Sequence, residues 1–434
     1  MGWQLFKRRP KNKFFLCLDI GTETVKALIF SLSSDFDSQK PAVVNEGRSS
    51  KEQRRKKKEK IVILGTGLEY FDKDTVFDSR DFEAEVIKRT ISKAVEKAHQ
   101  NLSFSLADKE LKKRAQKQKK WQVLLGLPPD LLKGRIDYQS FLREKPKEKI
   151  SKKEEKNIYH NILESVKGKI SQRFTEEVGI LPADIQWLSL KILEIKIDGY
   201  LVSNLKGYEG KDLEFKILAT FLPEYYWENI KKIIGFLGFK ILKTIHLAES
   251  LPIVCKDEKS DGLFLDVGGE ITQIFEIKSG KLQKITEFKG GGRAFTQSLS
   301  QTLGIDEEAA RIMEEKYSKK VLSSGAIEKI KEIFSWERKI WYDNLKVQLR
   351  KINARGIFPS TFFLFGGGSS TPEIQKVFEE EAINDWENLP ISGPPKVEFI
   401  YPEDLKNVKD TTKILNKSQS VPSLLICCGI LADN

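Results

Sequence analysis

Histidine is nearly absent from this chain. Its 434 residues hold three, His99, His160 and His246, far apart in sequence. That scarcity leaves almost no support for a zinc site or a nucleophile–histidine triad, both of which need imidazoles at workable spacing. Cysteine is equally sparse. Cys17, Cys255, Cys427 and Cys428 sit inside apolar runs without metal-ligand spacing and read as buried, reduced thiols. No apolar run approaches the roughly 20 residues of a membrane span, and the first residues lack a secretory apolar core, so a cytoplasmic protein is expected.

Bulk composition is ordinary for a folded protein, with 40% hydrophobic and 10% aromatic residues. The length suffices for roughly two to four domains and a large core. The net charge of +12 is concentrated. Arg48 to Lys60 carries eight basic and two acidic residues, and Lys109 to Lys120 seven and one, which together account for the whole excess. The remainder is near neutral, which excludes a basic-faced nucleic-acid binder. Such blocks read as solvated loops or as electrostatic contacts with an acidic partner or anionic lipid.

Along the chain, "KFFLCLDIGTETVKALIFSLSS" predicts a β-hairpin and "KIVILGTGLEYF" a strand ending in a glycine-marked bend. Phe82, Val86, Ile87, Ile91 and Val95 recur at helical spacing, with Ser79 or Asp81 as the expected N-cap. Residues 13–104 form one segment. Strands and one helix over 120–222 then suggest a small α+β unit inserted into a larger domain, whose α/β rhythm returns over 223–434. Residues 1–12, 33–60 and 105–119 are read as basic tail and loops.

Two hairpins match. "LCLDIGTETVKALIF" and "LFLDVGGEITQIFEI" share an apolar strand, an aspartate, a hydrophobe, a glycine turn and an apolar return, which suggests a duplicated architecture. Facing each other, such turns offer backbone N–H groups to phosphate oxygens: Gly21, Thr22 and Glu23 from one, Gly268 and Gly269 from the other. Asp19 and Asp266, at the strand ends, suit a Mg²⁺ ion held through water. "FLFGGGSSTPEIQKVF" adds a strand, three glycines and a helix, so Gly366, Gly367, Gly368 and Ser369 can lie against a nucleoside.

These three motifs, in this order, resemble those of the actin-like ATPase superfamily, and most closely the FtsA-like cell division proteins. The resemblance implies an α/β fold of two ribonuclease-H-like halves around a nucleotide cleft, with ATP and Mg²⁺ as ligands. It also implies a filament or homo-oligomer that links a tubulin-like division polymer to the inner membrane, and binds other division proteins through the inserted domain. "IKIDGYLVSNLKGYEGKDLEFKILATF" and "IHLAESLPIV" are similar to that family's segments. PilM-like components of type IV pilus assembly are the alternative. A sugar- or acetate-type kinase is disfavoured because no isolated Asp or His offers a base for an acceptor hydroxyl.

Departures bear on activity. Glu270 stands at the family's third glycine and Gln273 at its final aspartate. The helix that usually supplies Glu and Lys to the nucleoside reads Ala309-Ala310 followed by Met313. ATP hydrolysis is therefore expected to be slow or absent, a weak ATPase at most. The family's C-terminal amphipathic helix does not follow the closing "SLLICCGILA". Trp3, Leu5 and Phe6 with Lys7, Arg8 and Arg9, or the Arg48–Lys60 block, are expected to give at most a weak peripheral contact with anionic membrane.

Overall fold

The computed structural model describes residues 14–33, 60–72, 83–103, 121–255, 261–352, 357–379, 386 and 389–432. The N-terminal tail, most of both basic blocks and the expected caps Ser79 and Asp81 lie outside them.

The first hairpin forms as expected from β1 (Phe14–Ile20) and β2 (Thr24–Ser33), and β3 (Lys60–Tyr70) extends it antiparallel. Helix α1 (Ala84–Gln100) buries Ile87, Ile91, Ala94, Val95 and Ala98. Gly65 and Gly67 do not mark a bend. They lie inside β3, where the backbone of Ala94 and Ala98 leaves no room for a Cβ, so the helix rests directly on the strand.

The chain continues through β4 (Gln122–Gly126), β5 (Lys133–Leu142), α2 (Lys152–Val178), β6 (Ile185–Ile197), β7 (Tyr200–Val202) and β8 (Asp212–Pro223). Helix α2 starts at a Ser151 cap, whose side chain accepts from the Glu154 N–H, and stops at left-handed Gly179. β5, β8, β6 and β7 form a separate antiparallel sheet with α2 packed on one face. β4, grouped by sequence with 120–222, instead pairs parallel to β1, so the inserted sheet begins at Lys133.

Next come α3 (Glu224–Phe236), β9 (Lys240–Thr244), α4 (Leu247–Val254), and the second hairpin of β10 (Gly262–Val267) and β11 (Ile271–Lys278) with β12 (Lys281–Lys289). Three helices follow, α5 (Gly292–Leu303), α6 (Glu307–Ser318) and α7 (Ser324–Ile352). The chain closes with β13 (Thr361–Phe365), α8 (Pro372–Glu379), β14 (Lys396–Phe399), β15 (Val408–Asp410) and α9 (Val421–Cys428).

The topology contains a repeat. One sheet runs β15-β3-β2-β1-β4-β9 and the other β12-β11-β10-β13-β14. In each, a central strand pairs antiparallel with its hairpin partner on one side and, on the other, parallel with a later strand that itself pairs parallel with the next. Strand alternation sorts the side chains. Leu16, Leu18 and Ile20 face one outer core, Leu263, Leu265 and Val267 the other. Phe15, Cys17 and Phe264 face a shared core filled by α4 and α9. Each fully buried phenylalanine there contributes about 2–3 kcal/mol. The central strands β1, β4, β10 and β13 are buried on both faces, which explains why they read as continuous apolar runs.

Candidate nucleotide-type cleft

Alternation also fixes the two aspartates. Asp19 continues the Phe15–Cys17 face of β1 and Asp266 the Phe264 face of β10, so both carboxylates point to the seam between the sheets. Each following turn closes by the same bond. The Gly21 N–H donates to the Thr24 carbonyl at 2.8 Å, and the Gly268 N–H to the Ile271 carbonyl at 3.0 Å. The turns touch: a Cβ on Gly269 would sit 2.7 Å from the Thr22 hydroxyl and 3.3 Å from the Glu23 carboxylate.

The surroundings of the two carboxylates differ. Asp19 accepts a 2.6 Å hydrogen bond from the Ser423 hydroxyl on α9, and the Lys26 ammonium lies 3.6 Å from the same oxygen. Lys26 is also its cross-strand neighbour. Asp266 is buried, and burial, with Asp19 across the seam adding to it, pushes its carboxyl up to about 7. Its cross-strand neighbour, Gln273, turns away to donate to Glu287 at 3.2 Å and lies 3.4 Å from the His246 ring. Glu287 is held by Lys133 of the inserted sheet at 2.8 Å.

The glycine loop after β13 forms the third wall. Gly367 is open to the cavity. Gly368 meets the Gly268 carbonyl and the Gly292 N–H, each 2.7 Å from where its Cβ would be, so backbone packs on backbone. Gly366 and Ser369 lie behind this lining. Gly366 takes a φ of +93°, and the Ser369 hydroxyl donates to its carbonyl at 2.8 Å and lies 3.0 Å from the Ser418 hydroxyl. The segment from Ser418 to Ser423 thus supports the glycine loop at one end and Asp19 at the other.

Glu270, at the position of the expected third glycine, does not confront the turns alone. It pairs with Arg293 at 2.9 Å, and the same guanidinium reaches Glu307 at 3.4 Å. Burial pushes the Glu23 carboxyl up, against the pull of Arg293. Helix α6 differs from its sequence-level expectation. Although Ala309-Ala310 and Met313 replace the usual signature, Arg311, Glu314, Glu315, Ser318 and the adjoining Lys319 all line the cavity. Glu314 accepts from the Thr296 hydroxyl at 2.5 Å and the Thr371 hydroxyl at 3.0 Å, and burial pushes it to about 6. Arg311 stacks 4.4 Å over the Tyr70 ring, joining the lip of β3 to that of α6.

The cavity so enclosed measures about 660 Å³, within the range of small-molecule sites. Asp19, Gly21, Thr22, Glu23, Asp266, Gly268, Gly269, Gly367 and Gly368 line it together. Sequence reading missed Thr296, Arg311, Glu314, Thr371 and Ser418, which reach it from distant elements, and Ser423, which acts on it through Asp19. A polyphosphate with a nucleoside fits this donor set: glycine backbone at two opposed turns and a cradle that any Cβ would fill. Carboxylates outnumber cations around it, so such an anion needs a divalent cation to offset the field.

No family model and no curated protein sequence matches the chain. Its structure superposes on the PilM-PilN type IV pilus biogenesis complex with a TM-score of 0.63 at 12% identity, covering 98% of this chain and 100% of that one. Ethanolamine utilization protein EutJ from Carboxydothermus hydrogenoformans gives 0.42 at 11%, over 97% and 91%. MreB 5 of Spiroplasma citri bound to AMPPNP gives 0.40 at 12%, over 97% and 96%. The fold is that of the actin-like ATPases.

Proposed function

We propose that this chain is a nucleotide-binding adaptor of actin-like fold, which associates with itself and docks other proteins, with hydrolysis slow or absent. One observation carries the reading: two hairpins with the same turn bond meet over a single cavity whose third wall is bare glycine backbone. ATP is the ligand that suits it. Thr22, Glu23 and Gly269 would hold phosphates through backbone N–H groups, with Gly21 and Gly268 closing the two turns through theirs, while Gly367 and Gly368 face the nucleoside, with Gly366 and Ser369 supporting them. Asp19 and Asp266 would hold Mg²⁺ through water. Bound Mg²⁺ supplies positive charge against the phosphates. The protein's own task is to keep Asp19 oriented through Ser423 and Lys26.

The inserted α+β sheet is read as the docking module. We assign the assembly to a type IV pilus-type machine at the inner face of a membrane, supported by superposition on PilM-PilN over nearly the whole chain. The described residues contain no helix long and apolar enough to cross a membrane. A second reading, linkage of a tubulin-like division polymer, is favoured by the sequence of the β6–β8 strands. Titration calorimetry with Mg-ATP tests the cleft: saturable binding is expected, weakened in Asp19→Ala and Asp266→Ala. Unchanged binding in both variants would contradict it. Pull-down against the peptide partners of each machine separates the two assemblies, and capture by the division polymer's C-terminal peptide alone would overturn the pilus assignment.

A further inference from the structure

Resting on the nucleotide reading, we propose that the Glu23 side chain is an internal stand-in for a terminal phosphate. The cleft then receives a nucleoside diphosphate directly, and a nucleoside triphosphate only after Glu23 has moved out. Glu23 is therefore a specificity-determining residue, distinct from the backbone role of its turn.

Four observations support this. The Glu23 carboxylate spans the gap between the two phosphate-type turns and lies against Gly269. Among the described residues no cation lies within 4.0 Å of it. The two guanidinium groups whose fields reach it are both engaged elsewhere, Arg293 with Glu270 and Glu307 and Arg311 with the Tyr70 ring. Its counterpart in the second turn, Glu270, is tied down by Arg293, so only Glu23 is free to swing. Finally, the Thr22 hydroxyl and the Glu23 carboxylate leave too little room for even a Cβ on Gly269, so a phosphate placed there and this side chain exclude each other by size and by charge.

The test compares Mg-ADP and Mg-ATP affinities, by calorimetry on the full chain, for the wild type, Glu23→Gln and Glu23→Ala. Expected is a gain of about tenfold or more in ATP affinity relative to ADP affinity in Glu23→Ala. Glu23→Gln keeps the size and removes the charge, so an intermediate gain is expected. Thermal melting of both variants should match or exceed the wild type, since an unpaired carboxylate is removed. Loss of ATP affinity in either variant would make Glu23 a ligand of the metal or phosphate and overturn the proposal, as would an unchanged ATP-to-ADP ratio. If the wild type and both variants bind neither nucleotide, the nucleotide reading itself fails and takes this proposal with it.

Discussion

The two hairpins are one device built twice with different partners. In the first, Lys26 opposes Asp19 across the strands and a serine hydroxyl steadies it; in the second, Gln273 opposes Asp266 and faces away. In the first, the turn's glutamate is unpaired; in the second, Glu270 is paired with Arg293, which it shares with Glu307. The same backbone therefore carries a carboxylate oriented by a hydroxyl and a lysine on one side of the seam, and on the other a buried one whose pKa burial raises to about 7. Geometry was duplicated, whereas electrostatics was divided. Asp19 raises the pKa of Asp266 across the seam, and a cation held near both would offset that repulsion.

The largest break in this comparison should come from backbone space. Gly366 beside Asp266 holds a positive φ, and a Cβ there would clash with the carboxylate and with the Val267 carbonyl. Gly126, in register with Asp19, would meet only the far end of the Ile426 side chain and an oxygen at 3.5 Å. Gly366→Ala should cost on the order of 3 kcal/mol in urea unfolding, and Gly126→Ala about 1 kcal/mol or less.

A smaller, pH-dependent difference follows from the carboxylates. The folded pKa of Asp266, about 7, lies above its unfolded value. The native state therefore binds the extra proton, and this group's contribution is greatest near pH 4 and declines as pH rises to about 7. Glu314, pushed to about 6, acts with the same sign. In metal-free buffer, Asp266→Asn should raise stability at pH 8 by on the order of 2 kcal/mol and flatten the profile. Asp19→Asn should lower stability at pH 8, because it loses a charge-assisted bond to Ser423 and the Lys26 pair.

The smallest effect isolates orientation. Ser423→Ala removes the hydroxyl from Asp19 and should cost about 1 kcal/mol in unfolding. It should weaken nucleotide binding in the presence of Mg²⁺ more than in its absence, with Ser423→Thr restoring the wild-type response. Equal weakening in both conditions would reduce Ser423 to a packing residue.

The hairpins were legible in the sequence because an aspartate at the end of an apolar strand, followed by glycine, is a local pattern. Period-two alternation then decides which core each neighbour enters. The duplication was legible for the same reason. The origin of the inserted sheet was less so: β4 and β5 are similar apolar strands, and only pairing with β1 separates them. The α6 side of the cavity was read incompletely. Helical spacing shows that α6 has two faces, but the cavity selects Arg311, Glu314 and Glu315 through the packing of α6 against its neighbours. Ser423 lies some 400 residues from Asp19, and no local signal joins them. Glu270 illustrates the converse, since its pairing with Arg293 offsets part of the repulsion that its position alone suggests.

The central claim is that both turns grip one nucleotide. A crystal structure of the full chain with Mg²⁺ and a non-hydrolysable ATP analogue tests it most directly. The account predicts phosphates between Gly21–Glu23 and Gly268–Gly269, a nucleoside along Gly367 and Gly368, and Glu23 displaced from Gly269. A nucleotide bound elsewhere, or an empty cleft at saturating concentration, would contradict it.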